Sequence, residues 1–191
     1  MVQEDGHTLG IAQRSDLQDP SVRQIDEFFS VVHGSPSLVS LDFITYADLM
    51  TRRNSATRTI HAPAATIFDL LADPRQHVRL DGSGMISTLK SSPERLYLGA
   101  TFSMHMKDLG VPYVTKNVVV DFVENKSIAW HHFAKFVWRY DLDEVDGETT
   151  VTESFDYSVP WGVFIIPLGF PKRNEAAMQK TLEQLEKAVT S

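Results

Sequence analysis

The sequence predicts an α+β fold in which a curved antiparallel sheet of about seven strands wraps around a long C-terminal helix. Three observations predict it: strands with one apolar, aromatic face follow each other from Leu98 to Ser158, short polar turns separate them, and an amphipathic helix comes last. An apolar sheet face needs a cover, and the amphipathic helix needs an apolar partner, for which the inner face of the sheet is the only one large enough. Two short helices after the first strand complete the prediction.

The first predicted elements lie between Thr57 and the loop over 81–84. A strand is expected over Thr57–His61. Pro63 opens a helix, because a first helical turn does not need the missing proline N–H, and Asp73-Pro74 ends it. A second short helix is expected over 75–80.

Six further strands and one long helix are expected after this loop. The strands are expected over 85–91, 101–107, 113–123, 127–132, 135–145 and 149–158. Their turns contain Gly, Asn, Asp or Pro, and the last one is expected at Asp146-Gly147-Glu148. The helix is expected over 174–190, where apolar residues recur at helical spacing. These residues are Met178, Leu182, Leu185 and Val189.

Alternation along the strands predicts which side chains point inward. Successive side chains of a strand lie on opposite faces, so Trp130 shares a face with His132, and Glu153 shares one with Phe155. An aromatic face interrupted by polar groups predicts a lined cavity; the alternative is that the rings fill the core completely. The side chains expected to line the cavity are Phe102, Met104, Trp130, Trp138, Tyr140, Tyr157 and Met178.

His132 and Glu153 are the candidate catalytic residues, because both are ionisable groups among apolar neighbours. A partly buried imidazole can exchange protons near neutral pH, and burial raises the pKa of an unpaired carboxyl. Structural roles remain open for both residues. His132 can be satisfied by a neighbouring polar group, and Glu153 can form an ion pair, for example with Lys116.

No metal or cofactor is expected. His131 and His132 are adjacent on a strand, so they point to opposite faces and cannot hold one ion together. Gly82-Ser83-Gly84 lacks the remaining glycine of a dinucleotide loop, and the chain has no cysteine for thiolate ligands. Asp81 and Ser83 are expected to be turn residues or to lie at the cavity mouth.

Length, composition and the N-terminal sequence limit the domain number, the partners and the location that can be expected of the protein. A chain of 191 residues fits one domain with an appendage, and a net charge of −7 disfavours nucleic-acid binding through a basic surface. Neither a secretory signal nor an apolar run long enough for a bilayer is visible, which predicts a cytoplasmic protein without stable membrane insertion. Residues 1–54 are expected to form an N-terminal extension, partly disordered, with a short helix over 20–32. A natural start at Met50 is the alternative to this extension.

Several stretches resemble the polyketide cyclase/dehydrase and lipid-transport family of the START-like (Bet v 1-like, SRPBCC) superfamily, in particular its actinobacterial members. They are Thr57–Ala64, Ile67–Pro74, Asp81–Gly84, Ile128–His132 and Val151–Ser158. The resemblance covers 55–191 and implies a helix-grip fold with a ligand cavity between sheet and helix. It implies that the domain binds a small hydrophobic or aromatic ligand of the polyketide or lipid type. The alternatives are a polyketide cyclase or dehydratase that uses cavity acid/base residues, and a protein-interaction domain of the chaperone-cofactor type.

Overall fold

The structure, a computed structural model, describes residues 52–132 and 134–190. These residues form a seven-stranded antiparallel sheet with a long C-terminal helix, which confirms the predicted fold class. The helix expected over 20–32 and the start at Met50 lie outside the described residues. Within the described part of the chain, no helix is long and apolar enough to span a bilayer.

Each predicted strand and helix of the domain is present. The elements are β1 (Arg53–Ile60), α1 (Ala64–Ala72), α2 (His77–Leu80), β2 (Ile86–Ser91), β3 (Thr101–Asp108), β4 (Val111–Val123), β5 (Ser127–His131), β6 (Val137–Val145), β7 (Glu148–Asp156), a 3-10 helix (Pro160–Ile165) and α3 (Phe170–Thr190). The helix α3 begins before the predicted Asn174, because Pro171 is tolerated in a first turn, where its missing N–H costs nothing.

The sheet order is β1-β7-β6-β5-β4-β3-β2, so β2 to β7 form a meander and β1 closes onto β7. Helices α1 and α2 connect β1 to β2, which lie at opposite edges of the sheet. Helix α3 packs against β1 and buries Met178, Leu182 and Leu185 completely. Arg58 of β1 holds the helix from the side, since its Nε donates to Glu186 Oε2 over 2.8 Å.

The turn between β6 and β7 determines which residues of these two strands pair with each other. Asp146 and Gly147 both have positive φ, 53° and 82°, and Val145 pairs directly with Glu148. This is a two-residue turn of the kind that matches the twist of a hairpin. The predicted three-residue turn over 146–148 is therefore wrong, because two left-handed residues suffice to reverse the chain.

Candidate functional site: a cavity between the sheet and the C-terminal helix

A cavity of about 630 Å³ lies between the inward face of the sheet, α2, the 3-10 helix and α3. Its volume lies within the range of ~300–1,000 Å³ that is usual for sites that bind small molecules. Most of the side chains that line it are apolar or aromatic. The aromatic residues that the sheet region contributes are Phe102, Tyr113, Trp130, Phe136, Trp138, Tyr140 and Phe155.

The structure brings most of the predicted site residues to this cavity. Both catalytic candidates, His132 and Glu153, line it. So do five of the predicted wall residues, Phe102, Met104, Trp130, Trp138 and Tyr140. The roles of these residues in binding or catalysis stay predictions.

Tyr157 and Met178 are buried but are not among the residues that line the cavity. Tyr157 instead stacks on Phe155, with 5.6 Å between the ring centroids. Met178 points into the apolar core, whereas its neighbour Ala177 and Thr181 one turn later line the cavity. A helix turns its side chains by about 100° per residue, so adjacent residues such as 177 and 178 meet different surroundings.

Trp130 is the centre of an aromatic cluster on the wall. The imidazole of His77 stacks on it, with 5.1 Å between the ring centroids and 23° between the planes. Phe102 meets the indole edge-on at 5.5 Å, and the tilted ring of Tyr140 lies at 5.8 Å from it. Rings packed against one another in this way form a rigid apolar surface, against which a flat molecule can lie.

Glu153 and Tyr140 form a buried polar pair on this wall. They face each other across β6 and β7, and the Tyr140 hydroxyl donates to Glu153 Oε1 over 2.8 Å. The other carboxyl oxygen, Oε2, is buried and has no hydrogen-bond partner within 52–132 and 134–190. Glu153 as a whole is only 3% exposed.

Burial controls the charge of this pair. It raises the pKa of Glu153 to about 8; the hydrogen bond from Tyr140 opposes this rise, and the negative charge of Asp81 adds to it. Burial, together with Glu153, also raises the pKa of Tyr140 well above its usual value. At neutral pH the carboxyl is therefore mostly protonated, so Oε2 can carry the acid proton.

The ion pair between Glu153 and Lys116, expected as an alternative, is wrong. Lys116 is exposed, because it alternates along β4 with Thr115 and Asn117, and these two neighbours line the cavity. The carboxyl of Glu153 is bonded to Tyr140 instead. The acid at this position thus has a neutral partner.

His132 lies half-buried on the same cavity wall. Burial, and to a smaller extent the neighbouring His131, lowers the pKa of His132 to about 4. The ring meets Phe136 edge-on at 5.6 Å. At neutral pH the imidazole is therefore uncharged, which favours hydrogen bonding over donation of a proton from an imidazolium. Across the described residues, no group of three or more potential metal ligands is present.

His77 is a cavity residue that the sequence analysis missed. It is 7% exposed, lines the cavity and donates from Nε2 to the carbonyl oxygen of Leu71 over 2.8 Å. This bond makes Nδ1 the acceptor of the neutral ring, and burial lowers the pKa of the group. The available signal was its spacing: His77 lies one turn before Leu80, which is also buried.

The loop after α2 and the segment before α3 form the mouth of the cavity. Asp81 Oδ1 accepts hydrogen bonds from the backbone N–H and the hydroxyl of Ser83, and both residues also line the cavity. On the other side Phe164 and Leu168 line it while remaining 71% and 65% exposed. Asp81 and Ser83 are thus turn residues, as expected, and both line the cavity.

Comparisons with known proteins agree with this architecture. A family model described as polyketide cyclase / dehydrase and lipid transport matches residues 51–190. The uncharacterized protein Rv0088 of Mycobacterium tuberculosis is 32% identical over 169 residues, which cover 84% of this chain and 75% of the relative.

Two solved structures with a similar fold come from bacteria. The Zhui aromatase/cyclase from Streptomyces sp. R1128 has a TM-score of 0.56 at 13% identity, covering 74% of this chain and 97% of its own. The AHSA1-like protein from Aeromonas hydrophila has a TM-score of 0.54 at 17% identity, covering 72% of this chain and 92% of its own. At such identities the likeness shows the fold alone. The extent of the family match shows that this chain belongs to the polyketide cyclase/dehydrase and lipid-transport family.

Proposed function

We propose that the domain binds a small hydrophobic or aromatic molecule, of the polyketide or lipid type, in the cavity between the sheet and α3. The observation that supports this most strongly is the cavity itself, about 630 Å³ with a mostly apolar and aromatic lining. An apolar ligand gains free energy when it leaves water for such a space. The few polar groups on the wall, among them His77 and the Tyr140–Glu153 pair, can orient the ligand.

Native mass spectrometry of the freshly purified protein tests this proposal. We expect a co-purifying small molecule on the wild type that is lost when the cavity is filled by Ala177→Phe. The matched control is Ala176→Phe, because Ala176 is the exposed neighbour of Ala177 on the same helix. Retention of the molecule by Ala177→Phe would contradict the proposal. A protein that carries no small molecule and binds no apolar probe would favour the protein-interaction alternative.

Polyketide cyclisation is the second candidate function, and Glu153 is the observation that favours it. A buried acid with a pKa of about 8 can give its proton to the carbonyl oxygen of a substrate while the enol carbon of the same substrate bonds to the carbonyl carbon. The proton that the enol hydroxyl loses in this step would go to the neutral imidazole of His132 on the same cavity wall. The cavity would hold the linear substrate in a folded conformation that favours ring closure. Glu153→Gln and His132→Ala should then abolish conversion of a linear poly-β-ketone while binding persists.

A further inference from the structure

The Tyr140–Glu153 pair has one hydrogen-bonding position left unused. Glu153 Oε1 already accepts from the Tyr140 hydroxyl, whereas Oε2 is buried without a hydrogen-bond partner among the described residues. An unsatisfied buried polar atom is unfavourable, so a ligand group that pairs with it binds more tightly. Because Glu153 lines the cavity, the partner of Oε2 can come from an occupant.

The chemistry of the pair determines what kind of group this partner is. When Oε1 accepts from Tyr140 and the carboxyl is protonated, Oε2 carries the acid proton and is a donor. A carboxylate at this position would instead select a cation, but burial disfavours the charged form. The fitting ligand group is therefore an uncharged hydrogen-bond acceptor.

We propose that Glu153 is a specificity-determining residue that selects neutral ligands with a carbonyl oxygen, which accepts a hydrogen bond from Oε2. This inference rests on the proposed ligand-binding function and narrows its ligand class. The carbonyl belongs to a flat, conjugated molecule, because the wall next to the pair is built from the rings of Trp130, Phe102 and Tyr140.

Three probes with the same fused-ring skeleton test this selection. Fluorene is apolar, 9-fluorenone adds one carbonyl oxygen, and 9-aminofluorene adds a group that becomes a cation. Each compound is titrated into protein that already holds a fluorescent apolar dye, N-phenyl-1-naphthylamine, and the Kd of the compound is obtained from the displacement of the dye. The ratio of the fluorene Kd to the fluorenone Kd is called the carbonyl preference. The difference in hydrophobicity between fluorene and 9-fluorenone is the same whichever protein variant is titrated. A change in this ratio between variants therefore reports a change in the contact that the cavity makes with the carbonyl oxygen.

Two substitutions at one position separate the hydrogen bond from packing. Glu153→Gln keeps an N–H donor and is expected to keep the carbonyl preference. Glu153→Met has a similar volume without a donor and is expected to lower the preference about tenfold, the usual worth of one good hydrogen bond. An unchanged preference in Glu153→Met overturns the proposal, and so does tighter binding of 9-aminofluorene than of 9-fluorenone by the wild type at pH 7.

A pH titration provides a second readout. The wild-type preference should fall as pH rises from 7 to 9, because an ionised Glu153 no longer donates, whereas that of Glu153→Gln should stay constant. The other ionisable side chains that line the cavity are His77, His132, Tyr113, Tyr140, Asp81 and Asp108. Burial lowers the pKa of both histidines and raises that of both tyrosines, so these four do not change charge in this interval.

The outcomes distinguish the inference from the function on which it rests. Binding of fluorene with a carbonyl preference that neither Glu153→Met nor pH alters overturns the role of Glu153 and leaves ligand binding standing. Failure of all three probes and of N-phenyl-1-naphthylamine to bind overturns both.

Discussion

At the scale of single residues, Glu153 is the most informative position in the domain. Its carboxyl group is buried among aromatic rings and has a neutral partner, Tyr140, in place of a cation. Burial of a carboxyl without a cation favours the protonated form, and the pKa of about 8 expresses this. This raised pKa also makes the stability of the folded protein depend on pH, with or without a ligand.

Glu153 should make the protein less stable as pH rises. Its pKa is about 8 in the folded protein against 4.5 for the unperturbed group, so between these values the folded state binds the additional proton. The free energy of unfolding should therefore fall by at most about 1.4 kcal/mol per pH unit across this interval. Glu153→Gln removes this contribution.

Urea denaturation of the wild type and Glu153→Gln at pH 5, 6.5 and 8 measures this effect. The difference between the two free energies of unfolding should shift steadily in favour of the variant as pH rises. Parallel pH profiles would show that Glu153 ionises with an ordinary pKa.

At the scale of elements, close backbone packing positions the loop after α2 against α3. A Cβ atom on Gly82 would lie 2.2 Å from the carbonyl oxygen of Ala177 and 2.5 Å from the backbone nitrogen of Thr181. The Gly82 N–H also donates to Thr181 Oγ1 over 3.0 Å. Only glycine allows this approach, which holds the mouth of the cavity against the helix.

Gly82→Ala should consequently destabilise the domain by about 3 kcal/mol, because the new methyl group overlaps backbone atoms that cannot move aside. Gly84→Ala is the comparison within the same loop. Gly84 has a φ of 69° and open space around it, so its substitution should cost only about 1–2 kcal/mol of backbone strain. Thermal and urea unfolding of both variants provide the measurement; equal costs would mean that the loop is not held against α3.

The hairpin of β6 and β7 shows which part of the site can be predicted from the sequence of one element. Alternation along the strands places Tyr140 and Glu153 on the inward face without any structure. It does not pair them, because pairing depends on the length of the turn. The Asp146-Gly147 dipeptide is a strong two-residue turn signal, and counting back from it pairs Tyr140 with Glu153. An assumed three-residue turn misses this pair.

At the scale of the whole molecule, the fold could be predicted because its signals are periodic. Strand alternation, turn composition and the apolar stripe of α3 each lead to the observed sheet and helix. The site could be predicted less completely. His77 lies on a helix of four residues, too short for a periodic pattern, and Met178 could be told from Ala177 only once the rotation of α3 against the sheet was known.

The three tryptophans of the chain, Trp130, Trp138 and Trp161, all line the cavity, so the protein carries its own reporters of occupancy. Energy transfer from tryptophan to bound N-phenyl-1-naphthylamine therefore tests the central claim most directly. Saturable transfer with one site per chain is predicted for the wild type and for Ala176→Phe, and its loss is predicted for a folded Ala177→Phe. No transfer in the wild type, or undiminished transfer in Ala177→Phe, would contradict a ligand-binding cavity between the sheet and α3.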